Sequence, residues 1–226
     1  MLDLVMLPAM GCDGRLYADL AGRLEGVRTA VTVCRAATMA GNVQHVLSSA
    51  PETFLVLGTS FGARVALETT LAAPGRVKGL VVIGSGAKAV ADPAAGLRRE
   101  ARLRGGEFDQ VVAEMADMVA HLPGPNGPST RQAFIEMAHD MGPEAMANQA
   151  AAMARRGDVT ARLADIECPA LMLWGREDQF SPAADGLALA MAMQHGRYAE
   201  IRDCGHFPSL EAPDETLAIL QHWLQD

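Results

Sequence analysis

The sequence predicts an α/β protein: a mostly parallel sheet of about six strands with helices on both faces, carrying an all-helical insertion. Three observations point there. Short apolar runs and helix-period segments alternate strictly through residues 1–86, as a parallel sheet with crossover helices requires. From Ala87 to Ala164 the alternation lapses and only helical patterns remain, and after that it resumes. Half of the 226 residues are hydrophobic and a fifth charged, the balance of a globular chain able to bury one substantial core.

The elements follow in order. Leu4–Leu7 is continuously apolar, the mark of a strand buried on both faces. After the turn-rich Pro8–Gly14, Leu16, Leu20 and Leu24 recur every four residues along a helix that Gly26 closes. Arg28–Cys34 is β-branched and reads as a second strand, followed by a helix around Val43–Ala50. Phe54–Leu57 is the third strand; the helix after it places Ala63, Ala66, Leu67 and Leu71 on one face and stops at Pro74-Gly75. Val77–Ile83 is the fourth strand. The insertion offers helices over Arg98–Arg104, Phe108–His121, Arg131–Met141 and Glu144–Arg156. Ala170–Trp174 and Tyr198–Ile201 are the last strands, with a helix over Ala183–Gln194 between them. A closing helix starts at Pro213 and is expected to turn Leu217, Leu220 and Leu224 inward. The core is thus expected over residues 1–86 and 165–226 and the helical insertion over 87–164.

Between the third strand and its helix stands Gly58-Thr59-Ser60-Phe61-Gly62. G-x-S-x-G at a strand–turn–helix junction exposes the serine hydroxyl above the sheet, with helix N-terminal N–H groups aimed at any oxyanion formed there. A serine is a poor nucleophile without a base oriented by a carboxylate. Both are expected on loops after late strands, in the order serine, acid, histidine. Gly175-Arg176-Glu177-Asp178 offers Asp178, with Glu177 directed away from it. Asp203-Cys204-Gly205-His206-Phe207-Pro208 offers His206. His45, His121, His139, His195 and His222 lie in apparent helices and are bystanders on this reading, and Glu211 reads as solvated or locally hydrogen-bonded. The oxyanion donors are expected to be the backbone N–H groups of Phe61 and Met10, with Gly11 as the second choice on the first loop. This chemistry requires no metal or organic cofactor.

These motifs resemble the α/β-hydrolase superfamily, and the chain is similar to its compact, cap-bearing serine esterases such as those that release pimeloyl-carrier-protein methyl esters. The similarity rests on Gly58–Gly62, on Gly175–Asp178 with Pro182, and on Cys204–Pro208 leading into Glu211-Ala212-Pro213. It implies that Ser60, Asp178 and His206 form a catalytic triad and that Ala87–Ala164 forms a lid. Two departures stand out. Pro8-Ala9 replaces the usual His-Gly of the first loop, and the chain starts at what is normally the third strand, without the leading hairpin. The function expected is ester hydrolysis on a small or medium acyl chain. Thioesterase, lactonase, carbon–carbon bond hydrolase and acyltransferase reuse the same triad, and a ligand-binding receptor of this fold is a rival from another class. Met115, Met118, Met137, Met141, Met146 and Met153 are expected chiefly to pack the insertion onto the core, with the lining of an acyl pocket as the alternative. Arg98, Arg99, Arg102 and Arg104 form a basic cluster, read either as a solvated helix face or as a docking surface for an acyl carrier protein.

Charge and composition exclude other classes. A net charge of −8 argues against a nucleic-acid partner. No apolar run approaches the ~20 residues of a membrane span, and the N-terminus lacks the basic start of a signal peptide, so a cytoplasmic protein is expected. Cys12, Cys34, Cys168 and Cys204 are scattered without a C-x-x-C pair and read as reduced thiols.

Overall fold

A computed structural model describes residues Leu2–Gln225. The chain runs β1 (Leu2–Leu7), α1 (Ala18–Arg23), β2 (Val27–Val31), α2 (Met39–Ser49), β3 (Phe54–Thr59), α3 (Phe61–Ala72) and β4 (Val77–Ile83). Four helices then intervene: α4 (Pro93–Arg104), α5 (Phe108–Val119), α6 (Gly127–Met141) and α7 (Pro143–Ala154). The alternation resumes with β5 (Ala170–Gly175), α8 (Ala183–Met191), β6 (Gly196–Ile201), the single turn α9 (Pro208–Glu211) and α10 (Pro213–Gln225).

The six strands form one sheet in the order β2-β1-β3-β4-β5-β6, with every neighbouring pair parallel. The chain steps outward from β1 to β2 and returns past β1 to β3. The carboxyl ends of β1 and β3 therefore flank a topological switch point, where open α/β sheets hold ligands. β3 and β5 are buried along their whole length, which is why their sequences are unbroken apolar runs. β1 is buried from Leu4 onward.

β4 matches the residue pattern end to end, while α2, α4 and α6 begin earlier than expected, at Met39, Pro93 and Gly127. Two further differences have physical reasons. β2 ends at Val31 rather than Cys34, because β1, its only partner, ends at Leu7; the last ladder contact is Thr32 N–H to the Met6 carbonyl, 3.0 Å. In α10 the fully buried stripe is Thr216, Leu220 and Trp223, while Leu217 and Leu224 are half-buried. Thr216 sits inside because its hydroxyl donates to the Pro208 carbonyl at 2.9 Å. His121 and His195 lie outside helices, whereas His45, His139 and His222 are helical.

Arg64, wholly buried on α3, ties both ends of the four-helix segment to the core. Its guanidinium donates to the carbonyls of Gly86, Ala87 and Lys88 on the way in (3.3, 2.8 and 3.1 Å) and of Gly157 on the way out (2.5 Å). Glu68, one turn along the same helix, accepts from its Nε at 2.7 Å. Nη1 is shared among the three carbonyls of the entry, Nη2 meets that of the exit and Nε the carboxylate, so every nitrogen of the buried charge has a partner. Among the described residues no helix is long and apolar enough to cross a membrane.

Candidate active site

Ser60 occupies the tight turn between β3 and α3 with φ 56° and ψ −114°. A serine at positive φ stores strain, on the order of 1–3 kcal/mol, that the surroundings must hold in place. They do so by contact. A Cβ on Gly58 would fall 2.3 Å from the Gly62 carbonyl oxygen, and one on Gly62 would fall 1.9 Å from that of Leu7. The two glycines thus let the helix start press onto the ends of β3 and β1. The Ser60 N–H is fixed to the Ile83 carbonyl at 2.7 Å.

The loops after β5 and β6 bring the predicted acid and base together. His206 Nδ1 lies 2.7 Å from Asp178 Oδ2, and both side chains are buried. The other oxygen, Oδ1, accepts from the N–H groups of Phe180 (2.8 Å) and Ser181 (3.0 Å), so the carboxylate is held from both sides. A carboxylate so placed accepts the hydrogen bond from Nδ1–H of a neutral imidazole, which leaves Nε2 as the free base. The imidazole sits between the rings of Phe180 and Phe207, at centroid distances of 5.2 and 5.4 Å. Gly84, at the end of β4 with φ +63°, closes the back: a Cβ there would come within 2.8 Å of His206 Cε1 and 3.2 Å of Asp178 Oδ2. Glu177 is turned away, accepting from Cys204 N–H at 2.9 Å, as its position beside Asp178 predicts.

Ser60, His206, Met10 and Phe61 border one cavity of about 260 Å³. Phe61 N–H is the first of α3 and has no partner within the helix. On the first loop, Gly11 N–H donates to Gln149 Oε1 at 3.0 Å and is already engaged, while its neighbour Met10 lines the cavity. Gln149 also donates to the Cys34 carbonyl at 2.8 Å and so fastens α7 to this loop. Tyr17 supports the loop from beneath, its hydroxyl 2.8 Å from the Leu7 carbonyl and 2.7 Å from the Thr59 hydroxyl. The Pro8-Ala9 departure therefore leaves Met10 facing the cavity.

Two supporting residues escape sequence reasoning. Glu211 is buried rather than solvated, and beyond the local hydrogen bonding expected of it (Oε2 from Gly205 N–H at 3.0 Å, Oε1 from Phe207 N–H at 3.1 Å) its Oε2 also accepts from the distant His121 N–H at 2.7 Å. It thereby pins the backbone on either side of His206. Gln149 is the other, and its only signal is a long polar side chain inside an alanine-rich helix.

The far wall of the cavity comes from the four-helix segment, through Ala95, Gly96 and Arg99 of α4, Met115 and Val119 of α5, and Ala150, Met153 and Ala154 of α7. Of the six methionines in this segment, Met115 and Met153 reach the cavity, Met137 and Met146 are buried in the core, Met141 packs half-buried against it and Met118 is exposed. The arginine cluster divides. Arg98 pairs with Asp92, Arg102 with Glu107 and Glu114, and Arg104 with Glu100, while Arg99 turns into the cavity. Among the described residues no group of three or more His, Cys, Asp or Glu side chains is placed to hold a metal ion.

The model of the alpha/beta hydrolase family matches residues 6–219. A curated relative from Pseudomonas putida, 2-hydroxy-6-oxononadienedioate/2-hydroxy-6-oxononatrienedioate hydrolase 2, is 26% identical over 180 residues, covering 75% of this chain and 62% of its own. This chain spans about 60% of the length of the first such relatives. Among solved structures, an esterase from Thermogutta terrifontis aligns over 100% of this chain and 90% of its own, with TM-score 0.88 at 22% identity. The enol-lactonase from Burkholderia xenovorans LB400 aligns over 100% and 92%, with TM-score 0.89 at 17% identity. At these identities the structural likeness speaks for the fold, and the family rests on the match spanning nearly the whole chain. With a serine elbow after β3 and an acid and a histidine after β5 and β6, this chain belongs to the alpha/beta hydrolase family.

Proposed function

We propose that this protein is a serine hydrolase that cleaves carboxylic esters of small or medium acyl chain. The observation that carries the reading is the buried 2.7 Å contact between His206 Nδ1 and Asp178 Oδ2, in a cavity that also receives Ser60 from a strained turn. Ser60 attacks the ester carbonyl while His206 Nε2 takes its proton. The oxyanion is met by the N–H groups of Phe61 and Met10. His206 returns the proton to the leaving alcohol, Asp178 stabilises the imidazolium between these steps, and water then hydrolyses the acyl-enzyme through the same base. The helices α4, α5 and α7 serve as the lid that selects the acyl group. A cavity of about 260 Å³ lies below the roughly 300–1,000 Å³ of sites for drug-sized ligands, which favours a short substrate.

Stoichiometric labelling by a fluorophosphonate, mapped to Ser60, together with burst kinetics on an activated ester, tests the reading. Ser60→Ala is expected to lower kcat by about 10³-fold or more. A variant that keeps wild-type turnover overturns it. Carbon–carbon bond hydrolysis and lactone opening are the second reading on the same three residues. The relatives named as oxononadienedioate hydrolases and the enol-lactonase favour it. A panel of esters, lactones and vinylogous diketones of equal chain length separates the two.

A further inference from the structure

Two cationic side chains, Arg99 and Arg156, enter the cavity from the lid, and among the described residues neither makes a contact ion pair; the acids whose charge reaches them, Glu114 and Glu68, are paired with Arg102 and Arg64. Arg99 lies one helical turn beyond Ala95 on the same face of α4, and both border the cavity. Arg156 follows the end of α7 by two residues. The two helices are brought together at Gly96, where a Cβ would fall 2.7 Å from the Ala154 Cβ; this close crossing delivers both guanidiniums to one wall. Arg99 lies over the face of Phe180, 6.0 Å from its ring centroid. Arg156 donates to the Lys88 carbonyl at 3.1 Å and touches the Met153 sulfur, both neutral. The one acid at this wall, Asp92, is engaged elsewhere, pairing with Arg98 at 3.2 Å and accepting the Ala95 N–H at the start of α4.

A charge with no carboxylate in contact is costly when desolvated, and for both groups burial outweighs the distant pull of Glu114 and Glu68. Burial pulls Arg99 below the usual arginine range, and burial together with the positive charge of Arg64 pulls Arg156 down to about 10. Elsewhere on the same helix the chain supplies partners: Arg98, Arg102 and Arg104 each have a carboxylate. Two partly buried guanidiniums facing the chamber that holds Ser60 thus form a site short of an anion, and the ligand is the source that brings one into that chamber.

We infer that Arg99 and Arg156 form a carboxylate subsite, so that the substrate is a half-ester, carrying a free carboxylate at the end of its acyl chain remote from the scissile ester. The inference deepens the serine-hydrolase reading and rests on it for the position of the scissile bond. A guanidinium fork recognises a carboxylate through parallel N–H···O bonds, whereas a neutral amide of the same shape offers half the acceptors and no charge. The subsite therefore discriminates against neutral isosteres as well as fixing the distance from the carboxylate to the ester carbonyl.

The test compares monoethyl glutarate with ethyl 4-carbamoylbutanoate, its uncharged isostere, by pH-stat titration of the acid released. The wild type is expected to favour the half-ester by about 10-fold or more in kcat/KM, and Arg99→Met and Arg156→Met to bring that ratio down toward one. A wild type that handles both esters equally, or variants in which the ratio is unchanged, overturns the subsite. Calorimetric binding of monoethyl glutarate to the Ser60→Ala protein gives a readout that needs no turnover. Binding lost in the Ser60→Ala/Arg99→Met double variant supports the subsite even if Ser60 is not the nucleophile. Absence of binding together with fluorophosphonate labelling of Ser60 overturns the subsite alone.

Discussion

Replacing Glu211 is the sharpest probe of how the base is held, because this residue touches no substrate. Its carboxylate accepts three backbone N–H groups, those of His121, Gly205 and Phe207, in a buried setting. Glu211→Ala strands all three. At ~1–3 kcal/mol for each buried donor left without a partner, the loss is ~3 kcal/mol or more, a large part of a stability of typically 5–15 kcal/mol. Glu211→Gln is the more informative variant. It keeps the volume and one oxygen, which suffices for the pair bound by Oε2, but turns an NH2 against the Phe207 N–H. One charge-assisted bond is lost and two donors face each other, for ~2 kcal/mol. With an m-value of ~2 kcal/mol/M in urea, the midpoint falls by about 1 M at unchanged slope. Because Gly205 and Phe207 flank His206, the same variant is expected to lower kcat about 10-fold with KM little changed, since a misplaced base weakens the transition state rather than ground-state binding. A Glu211→Gln protein whose urea midpoint stays within about 0.2 M of wild type, with wild-type kcat, refutes the reasoning.

The remaining predictions concern the back of the site and the thiols. Gly84→Ala places a methyl 2.8 Å from His206 Cε1 and 3.2 Å from Asp178 Oδ2 at φ +63°, so the histidine must move. Its kcat is expected to fall by about 100-fold while the protein still folds, and ester hydrolysis with a circular-dichroism melt checks both halves. A Gly84→Ala enzyme of wild-type activity contradicts the contact. Burial pushes the Cys34 thiol up to about 12 and raises those of Cys12 and Cys204 as well, while Cys168 is half-buried and less shielded. Only the thiolate is nucleophilic, so iodoacetamide at pH 8 is expected to modify native protein at Cys168 alone and all four cysteines in urea. Peptide mass mapping that finds Cys204 modified as fast in the native protein as in urea overturns this.

What the sequence makes legible follows from how local its causes are. The sheet reads out because β3, β4 and β5 are buried on both faces and their composition records it. The placement of Ser60, Asp178 and His206 at strand ends is legible because each stands on a short loop after an apolar run, flanked by turn residues whose bulk or conformation the loop restricts. What stays hidden is held at long range. Glu211 binds His121 across 90 positions, Gln149 binds Gly11 across 138, and Arg64 binds Gly157 across 93. No periodicity relates such positions, and an arginine on the inward face of a helix, or a glutamate after a histidine loop, looks like surface until its partners are placed. The end of β2 is missed for the converse reason. Thr32 to Cys34 have strand-forming side chains, but the partner strand has already ended. The basic cluster read as one patch divides because helical phase sends Arg99 inward while Arg98 and Arg102 meet acids.

The same distinction of range separates the two halves of the site. The groups assigned to bond cleavage stand on loops at the carboxyl ends of β3, β5 and β6, over a sheet whose strands cannot shift without breaking a parallel ladder. Their spacing is a property of the core. The wall opposite is carried by α4 and α7, which bury Leu103, Met146 and Ala150 against the core and are tied to it by Arg64 at the segment's two ends and by Gln149 at the first loop. Changes in α4 and α7 can therefore alter which acyl chain fits without moving the histidine relative to the serine. Changes at Gly84 or Glu211 do the reverse. Substitutions on the helical wall should appear as altered ratios of kcat/KM between substrates, and substitutions behind His206 as a uniform fall in kcat for all of them.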